Sequence, residues 1–225
     1  MQDLIKQEQF ELEVLERLNS GRFLTYLVFG GETMLRLCFG LNRFSADLDF
    51  WLIKKIDTSK LFGDLKKYLN QFYTIKDCAN KFYTLLFELK SSSYRRSLKI
   101  EIRKKPKKIK TESAIAYSPY SNIQVFLKVV SLEDMMQAKI NSLIDRKEIR
   151  DAFDIEFLFK KGINLSSSSQ ILRKLIEVIE SFNQKDYKVK LASLLLEKER
   201  KYYIKENFKI LRLAIQEKLN SIKKI

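Results

Sequence analysis

Apolar residues recur at close to helical spacing through Leu4, Ile5, Phe10, Leu12, Val14, Leu15 and Leu18, and the run stops at Asn19-Ser20-Gly21. This predicts an N-terminal helix with a C-terminal glycine stop. Residues 23–29 (FLTYLVF) form a short aromatic and aliphatic run bounded by glycines, which reads as a buried strand. Gly30-Gly31 turns that run into a second helix over 32–39. Residues 48–53 predict another strand, broken into by two aspartates, and 58–72 a helix. Residues 82–89 and 98–102 alternate as strands do, with Ser91-Ser92-Ser93 as the turn between them. From Ser131 onward the pattern is helical, with helices expected at 132–145, 148–160, 168–182, 186–198 and 201–222. Ser131-Leu132-Glu133-Asp134 has the form of a helix start with acids in the first turn. No internal repeat is visible, and the serines at 166–169 are too few to separate domains. The expectation is an α+β chain: residues 1–128 hold a small mixed β-sheet flanked by helices, and residues 129–225 are all-helical.

Composition narrows the chemistry. The 225 residues contain no histidine, which excludes Ser-His-Asp and Cys-His nucleophiles, histidine zinc sites and a histidine general base. Cys38 and Cys78 are too few for a zinc ribbon or disulfide framework and suit a reducing compartment. Catalysis must then rest on carboxylates, lysine, arginine, hydroxyls or a metal held by oxygen. The start lacks a basic segment leading into an apolar run, and no 18-residue stretch is free of charge, so a cytoplasmic protein without a membrane span is expected.

The net charge of +15 is large for this length and suggests a polyanionic partner, nucleic acid before membrane. A lysine-rich organism is the competing explanation. Residues 1–50 hold eight acidic and five basic side chains, so the whole excess lies beyond them. Six of the eight residues at 103–110 (RKKPKKIK) are basic, forming either a solvated loop or an arm that contacts phosphates.

Residues 29–51 (FGGETMLRLCFGLNRFSADLDFW) are the most informative segment. On a strand, Asp47 and Asp49 project to one face while Leu48 and Phe50 pack behind. Two adjacent carboxylates repel, and in a histidine-free chain the oxygen-only donor set points to Mg²⁺ or Mn²⁺. Gly30 and Gly31 precede a helix N-terminus, where backbone N–H groups and the dipole can hold phosphate. Metal beside phosphate is the arrangement of nucleotidyl transfer. In the helical part, Lys139 falls on the apolar stripe of Leu132, Met135, Met136, Ile140 and Leu143, where it needs an anion or a route to water. If that helix continues, Arg146, Arg150 and Asp154 are spaced four apart and form a surface ladder.

Gly30-Gly31, then Thr33-Met34-Leu35-Arg36-Leu37, then Arg43-Phe44-Ser45-Ala46-Asp47-Leu48-Asp49-Phe50 resembles the nucleotidyltransferase toxins of the AbiEii/AbiGii family, within the DNA polymerase β-like superfamily. The resemblance covers about residues 22–160. Glu32, between the glycines and Thr33, departs from the family's pattern. The resemblance implies a nucleotidyltransferase fold, with Asp47, Asp49 and a third carboxylate, Glu101, binding the metal. Glu101 is offered by Leu98-Lys99-Ile100-Glu101-Ile102 and reads otherwise as a solvent-facing acid. The resemblance also implies that Gly30, Gly31, Thr33, Arg43, Ser45, Lys139 and Arg146 hold an NTP. Asp151 and Asp154 then position Lys139 and the arginines or act directly. The implied activity is transfer of a nucleotide to an acceptor, with RNA and the tRNA 3′ end expected, in a toxin paired with an antitoxin or serving phage defence. The alternatives are transfer to a protein hydroxyl, and a degenerate module that binds RNA or an antitoxin. Tyr117, Tyr202 and Tyr203 are expected mostly to pack, with base stacking as the alternative.

Overall fold

The first helix, α1 (Gln2–Ser20), turns Phe10, Leu12, Val14, Leu15 and Leu18 inward, as the sequence pattern requires. The computed structural model describes residues 2–106 and 108–222, and the chain divides into two units, residues 1–131 and 132–225. One of the basic residues at 103–110, Lys107, lies outside the described residues.

In the first unit, the strand expected at 23–29 begins later. Arg22 takes a left-handed backbone (φ 60°), and a 3₁₀ turn (Phe23–Thr25) follows, closed by the Thr25 hydroxyl donating to Arg22 O at 2.6 Å. The strand itself is β1 (Leu27–Gly30), buried throughout. Then come α2 (Gly31–Phe39), β2 (Asp47–Leu52) and α3 (Thr58–Leu69). The Asp57 carboxylate caps α3 by accepting from Ser59 N and Lys60 N, and the helix closes three residues short of the expected 72. The remaining strands are β3 (Thr74–Asn80), β4 (Thr84–Lys90), β5 (Leu98–Arg103), β6 (Thr111–Ala116) and β7 (Val125–Val130). All seven join one mixed sheet in the order β3-β4-β5-β2-β1-β7-β6, with β2–β5 and β1–β7 parallel and the other pairs antiparallel.

Strand pleating sorts the sheet into two faces. Leu48, Phe50, Ile100, Ile102, Leu85 and Phe87 share the buried face, register partner by register partner. α3 packs on β3, and its Phe62 stacks on Phe87 at 5.0 Å; α1 packs on β5 and β7. Asp47, Asp49, Trp51, Lys99, Glu101, Arg103 and Thr84 alternate onto the opposite face.

The second unit is helical across its described residues: α4 (Leu132–Arg146), α5 (Ile149–Lys160), α6 (Ser169–Glu180), α7 (Glu197–Glu206) and α8 (Lys209–Ile222). Two expectations are corrected. The helix expected at 186–198 is a π-helical turn (Asp186–Leu191) and a 3₁₀ turn (Ala192–Leu194) ahead of α7. The helix expected at 201–222 breaks where Asn207 and Phe208 take positive φ (48° and 54°). That break turns Phe208 into the core, 5.2 Å from the Tyr203 ring and 5.6 Å from Tyr187. Buried Glu156 ties the helices together, accepting from Tyr203 Oη at 2.8 Å, Lys160 Nζ at 2.7 Å and Leu211 N at 3.3 Å. Tyr203 therefore packs, as expected. Both cysteines are free, and no described helix is long and apolar enough to cross a membrane.

Candidate active site

Asp49 and Glu101 are direct register partners across the parallel β2–β5 pair, and Asp47 stands two residues earlier on the same face as Asp49. The alternation that buries Leu48 and Phe50 is what leaves these carboxylates on the opposite side. Asp47 is exposed, while Asp49 and Glu101 are half-buried. Burial, with the carboxylates of Glu32, Glu101 and Asp47 adding to it and Arg103 partly offsetting, raises the Asp49 carboxyl to about 7. Mutual repulsion among acids that the fold holds together has that consequence, and a cation relieves it.

The glycine pair is required by close approach. Gly30 lies beneath Trp51, whose ring would sit 1.5 Å from any added Cβ. Gly31 has φ +74°, a conformation that disfavours other residues, and a Cβ there would meet Asp49 Oδ2 at 2.3 Å. The second carboxylate thus rests directly against the turn that opens α2. Thr33 does not present its hydroxyl to a ligand: it is fully buried and donates to Asp47 O at 2.6 Å, fixing the start of β2. Arg43 is equally withdrawn, at 2% exposure, with Nη2 3.6 Å from Glu32 Oε1 and Nη1 donating to Phe44 O at 3.4 Å. It braces the turn and offsets Glu32. Ser45 is half-buried in the loop before β2.

Sequence reasoning undervalued Glu32, read there only as a departure from pattern; it is the foremost charged influence raising Asp49. It also missed the layer beneath. Arg36 pairs with Glu8 on α1, donates to Leu41 O at 3.2 Å and Arg43 O at 3.5 Å, and lies 3.9 Å over the Phe44 ring. One guanidinium thereby holds the loop that delivers Asp47. Neighbouring Glu11 is fully buried, its carboxyl raised well above the usual range by burial and by Glu8, with Asp47 adding and Arg36 opposing. Contacts 28 residues apart along the chain, such as Glu8–Arg36, leave no periodic signal to find.

In the helical unit, Lys139 is buried with Nζ 2.7 Å from Asp154 Oδ2 and 3.4 Å from Asp151 Oδ1. Arg146 donates through Nε to Asp151 Oδ2 and through Nη2 to Asp151 Oδ1, both at 2.7 Å, a two-pronged pairing that fixes its plane. Asp151 and Asp154 are fully buried, so they orient the two cations. With both oxygens of Asp151 already accepting, a positioning role fits it better than direct catalysis. The surface ladder of Arg146, Arg150 and Asp154 does not form, because Lys147 at φ 52° separates α4 from α5 and Asp154 turns inward.

The family model described as nucleotidyl transferase AbiEii toxin, type IV toxin–antitoxin system, matches residues 13–219. No curated protein matches the chain. Among solved structures, JHP933 from Helicobacter pylori is 22% identical, with 96% of this chain and 97% of that chain covered, at a TM-score of 0.55. A second Helicobacter pylori structure is also 22% identical, covering 95% and 97%, at 0.58. MenT4, nucleotidyltransferase toxin Rv2826c from Mycobacterium tuberculosis H37Rv, is a looser likeness at 14% identity, 89% and 84% coverage and a TM-score of 0.47. The two Helicobacter likenesses share the fold, and the family match extends through both units.

Proposed function

Since the chain belongs to the AbiEii family, the nucleotidyl transferase toxins of type IV toxin–antitoxin systems, we propose that Asp47, Asp49 and Glu101 form a divalent-cation site for nucleotide transfer to RNA. Family membership implies a nucleoside triphosphate donor and a cognate antitoxin. The RNA acceptor, with the tRNA 3′ end foremost, and the metal dependence are our reading. One observation carries it: Asp49 faces Glu101 across β2–β5 while resting against Gly31, so carboxylates and phosphate-ready turn share one spot.

The donor set is hard oxygen throughout, which suits Mg²⁺ or Mn²⁺, and the burial and neighbouring acids that disfavour the ionised form of Asp49 are what a cation would offset. When bound, such a cation activates the attacking hydroxyl and neutralises the leaving pyrophosphate. The residues do the rest. Glu101 accepts the proton of the acceptor hydroxyl. The N–H groups opening α2 at Gly31 receive phosphate, while Arg43 offsets the opposing charge of Glu32. Lys139 and Arg146 are the cations we assign to phosphate, aligned by Asp154 and Asp151. Thr33 and Arg36 act by holding Asp47 and its loop.

The test is incubation with each labelled NTP, Mg²⁺, total tRNA and a cell extract, beside an Asp49→Ala control. Metal-dependent label in RNA, lost in the control, is the expected outcome. Label in a protein would replace the acceptor, and no metal-dependent label would overturn the enzymatic reading.

A further inference from the structure

Beyond Asp49 and Glu101, the same sheet face continues to Trp51 on β2 and Arg103 on β5, which are also register partners. Thr84 on β4 pairs with Arg103 in turn. Together with Tyr83 and Lys105 these residues line a cavity of about 220 Å³. That lies below the roughly 300–1,000 Å³ of sites enclosing a drug-sized ligand and suits one flat ring system. The walls have an unusual makeup for a surface recess. Tyr83 is 70% exposed and Phe82 beside it 84%, where the sequence pattern had placed both within a strand. Their rings meet edge to face at 4.5 Å at the β3–β4 tip.

The tip is fastened down. Lys104 Nζ donates to Asn80 Oδ1 and to Lys81 O, each at 2.9 Å, and Lys104 N donates to Tyr83 O at 2.9 Å. Exposed aromatics on a rigid support lose little freedom when a ring stacks on them. Trp51 supplies a second ring, with the Arg103 guanidinium 5.8 Å from its centroid, and its indole N–H has no hydrogen-bond partner among the described residues. Arg103 and Lys105 are exposed at the rim. Aromatic faces interleaved with cations are the means by which proteins hold single-stranded nucleic acid, base on ring and phosphate on charge.

We propose that this cavity is a stacking subsite for the single-stranded end of the acceptor RNA, with a base on Tyr83 and backbone phosphates on Arg103 and Lys105. The inference rests on the RNA-acceptor reading above and deepens it. Its placement separates acceptor from donor. In the sheet order β4-β5-β2-β1, the glycine turn lies on the β1 flank of the carboxylates and the cavity's Tyr83, Thr84 and Arg103 on the β4–β5 flank, with the Trp51 ring, which covers Gly30 and lines the cavity, as the wall between them. A displacement that enters from one side and leaves from the other needs that division.

The experiment uses the full-length protein and a 5′-fluorescein single-stranded RNA oligonucleotide ending in a free 3′ hydroxyl. Anisotropy gives its Kd, and steady-state transfer gives KM for the NTP. Tyr83→Ala is expected to weaken RNA binding about 5- to 100-fold with KM for the NTP unchanged, and Tyr83→Phe, which keeps the ring, to bind as wild type does. Lys105→Ala is expected to lower the slope of log K against log salt by about 0.7. Unchanged RNA affinity in Tyr83→Ala overturns the proposal, as does a rise in KM for the NTP instead, which would assign the ring to the donor base. Wild-type protein that neither binds the oligonucleotide nor labels RNA refutes the acceptor reading itself, and the subsite with it.

Discussion

Replacing Asp49 by asparagine tests whether the fold stores repulsion at the proposed cation site. In the folded protein without metal the Asp49 carboxyl sits at about 7, against an ordinary 3.8. Between those values the folded state holds a proton that the unfolded chain has released. Stability therefore falls as pH rises from about 4 to about 7, and the deficit is complete above that window. About three pH units at roughly 1.4 kcal/mol each make a deficit of about 4 kcal/mol, of which about 3 kcal/mol separates pH 5 from pH 8. Asparagine carries no charge at either pH and removes the deficit. Urea unfolding in EDTA at pH 5 and pH 8 is the assay. Relative to wild type, Asp49→Asn should gain about 3 kcal/mol more at pH 8 than at pH 5. Mg²⁺ should stabilise wild type at pH 8 and leave the variant unmoved. A stability difference between the two proteins that is the same at both pH values would refute the reasoning, because the carboxylate would then be at ease in the fold.

Gly31→Ala should cost at least about 1–2 kcal/mol for its left-handed backbone and abolish transfer by displacing Asp49, whereas Gly40→Ala, also left-handed but with open space around it, should lose only stability; chemical denaturation and the transfer assay distinguish them. Lys139→Met leaves Asp151 and Asp154 short of a buried partner and should cost about 3–5 kcal/mol, part of it recovered by adding Asp154→Asn while transfer stays lost. Glu156→Leu strands the Tyr203 hydroxyl and the Leu211 N–H inside the helical unit and should lower stability by about 2–3 kcal/mol in thermal unfolding.

What could be read from the sequence was what has a period. Alternation in β5 separates Leu98, Ile100 and Ile102 from Lys99, Glu101 and Arg103, and in β2 the same rule sets Asp47 and Asp49 apart from Leu48 and Phe50. Three strands were not expected: β3 and β6 are the edges of the sheet, where TIKDCAN and TESAIA bury little and show no apolar alternation, whereas interior β7 (VFLKVV) is a mostly apolar run that the sequence reading passed over. The helix breaks at Lys147 and at Asn207-Phe208 carry neither glycine nor proline, so nothing local announces them; tertiary packing of Asp154 and Phe208 imposes them. At the site, residue types were legible but partners were not. Thr33 and Arg43 were expected to hold an NTP, and in the fold Thr33 donates to Asp47 O while Arg43 pairs with Glu32. Only the folded arrangement reveals that Thr33 holds the start of β2 in place. The acid at Glu32, out of pattern in the sequence, belongs to the charge environment of Asp49.

Mn²⁺ binding to the full-length protein at pH 8, followed by its paramagnetic resonance signal with Mg²⁺ as competitor, tests the carboxylate site most directly. The account predicts saturable binding that Mg²⁺ displaces, and that is lost in both Asp49→Ala and Glu101→Ala while their circular dichroism matches wild type. Equal Mn²⁺ affinity in wild type and both variants, or none in wild type, would contradict it.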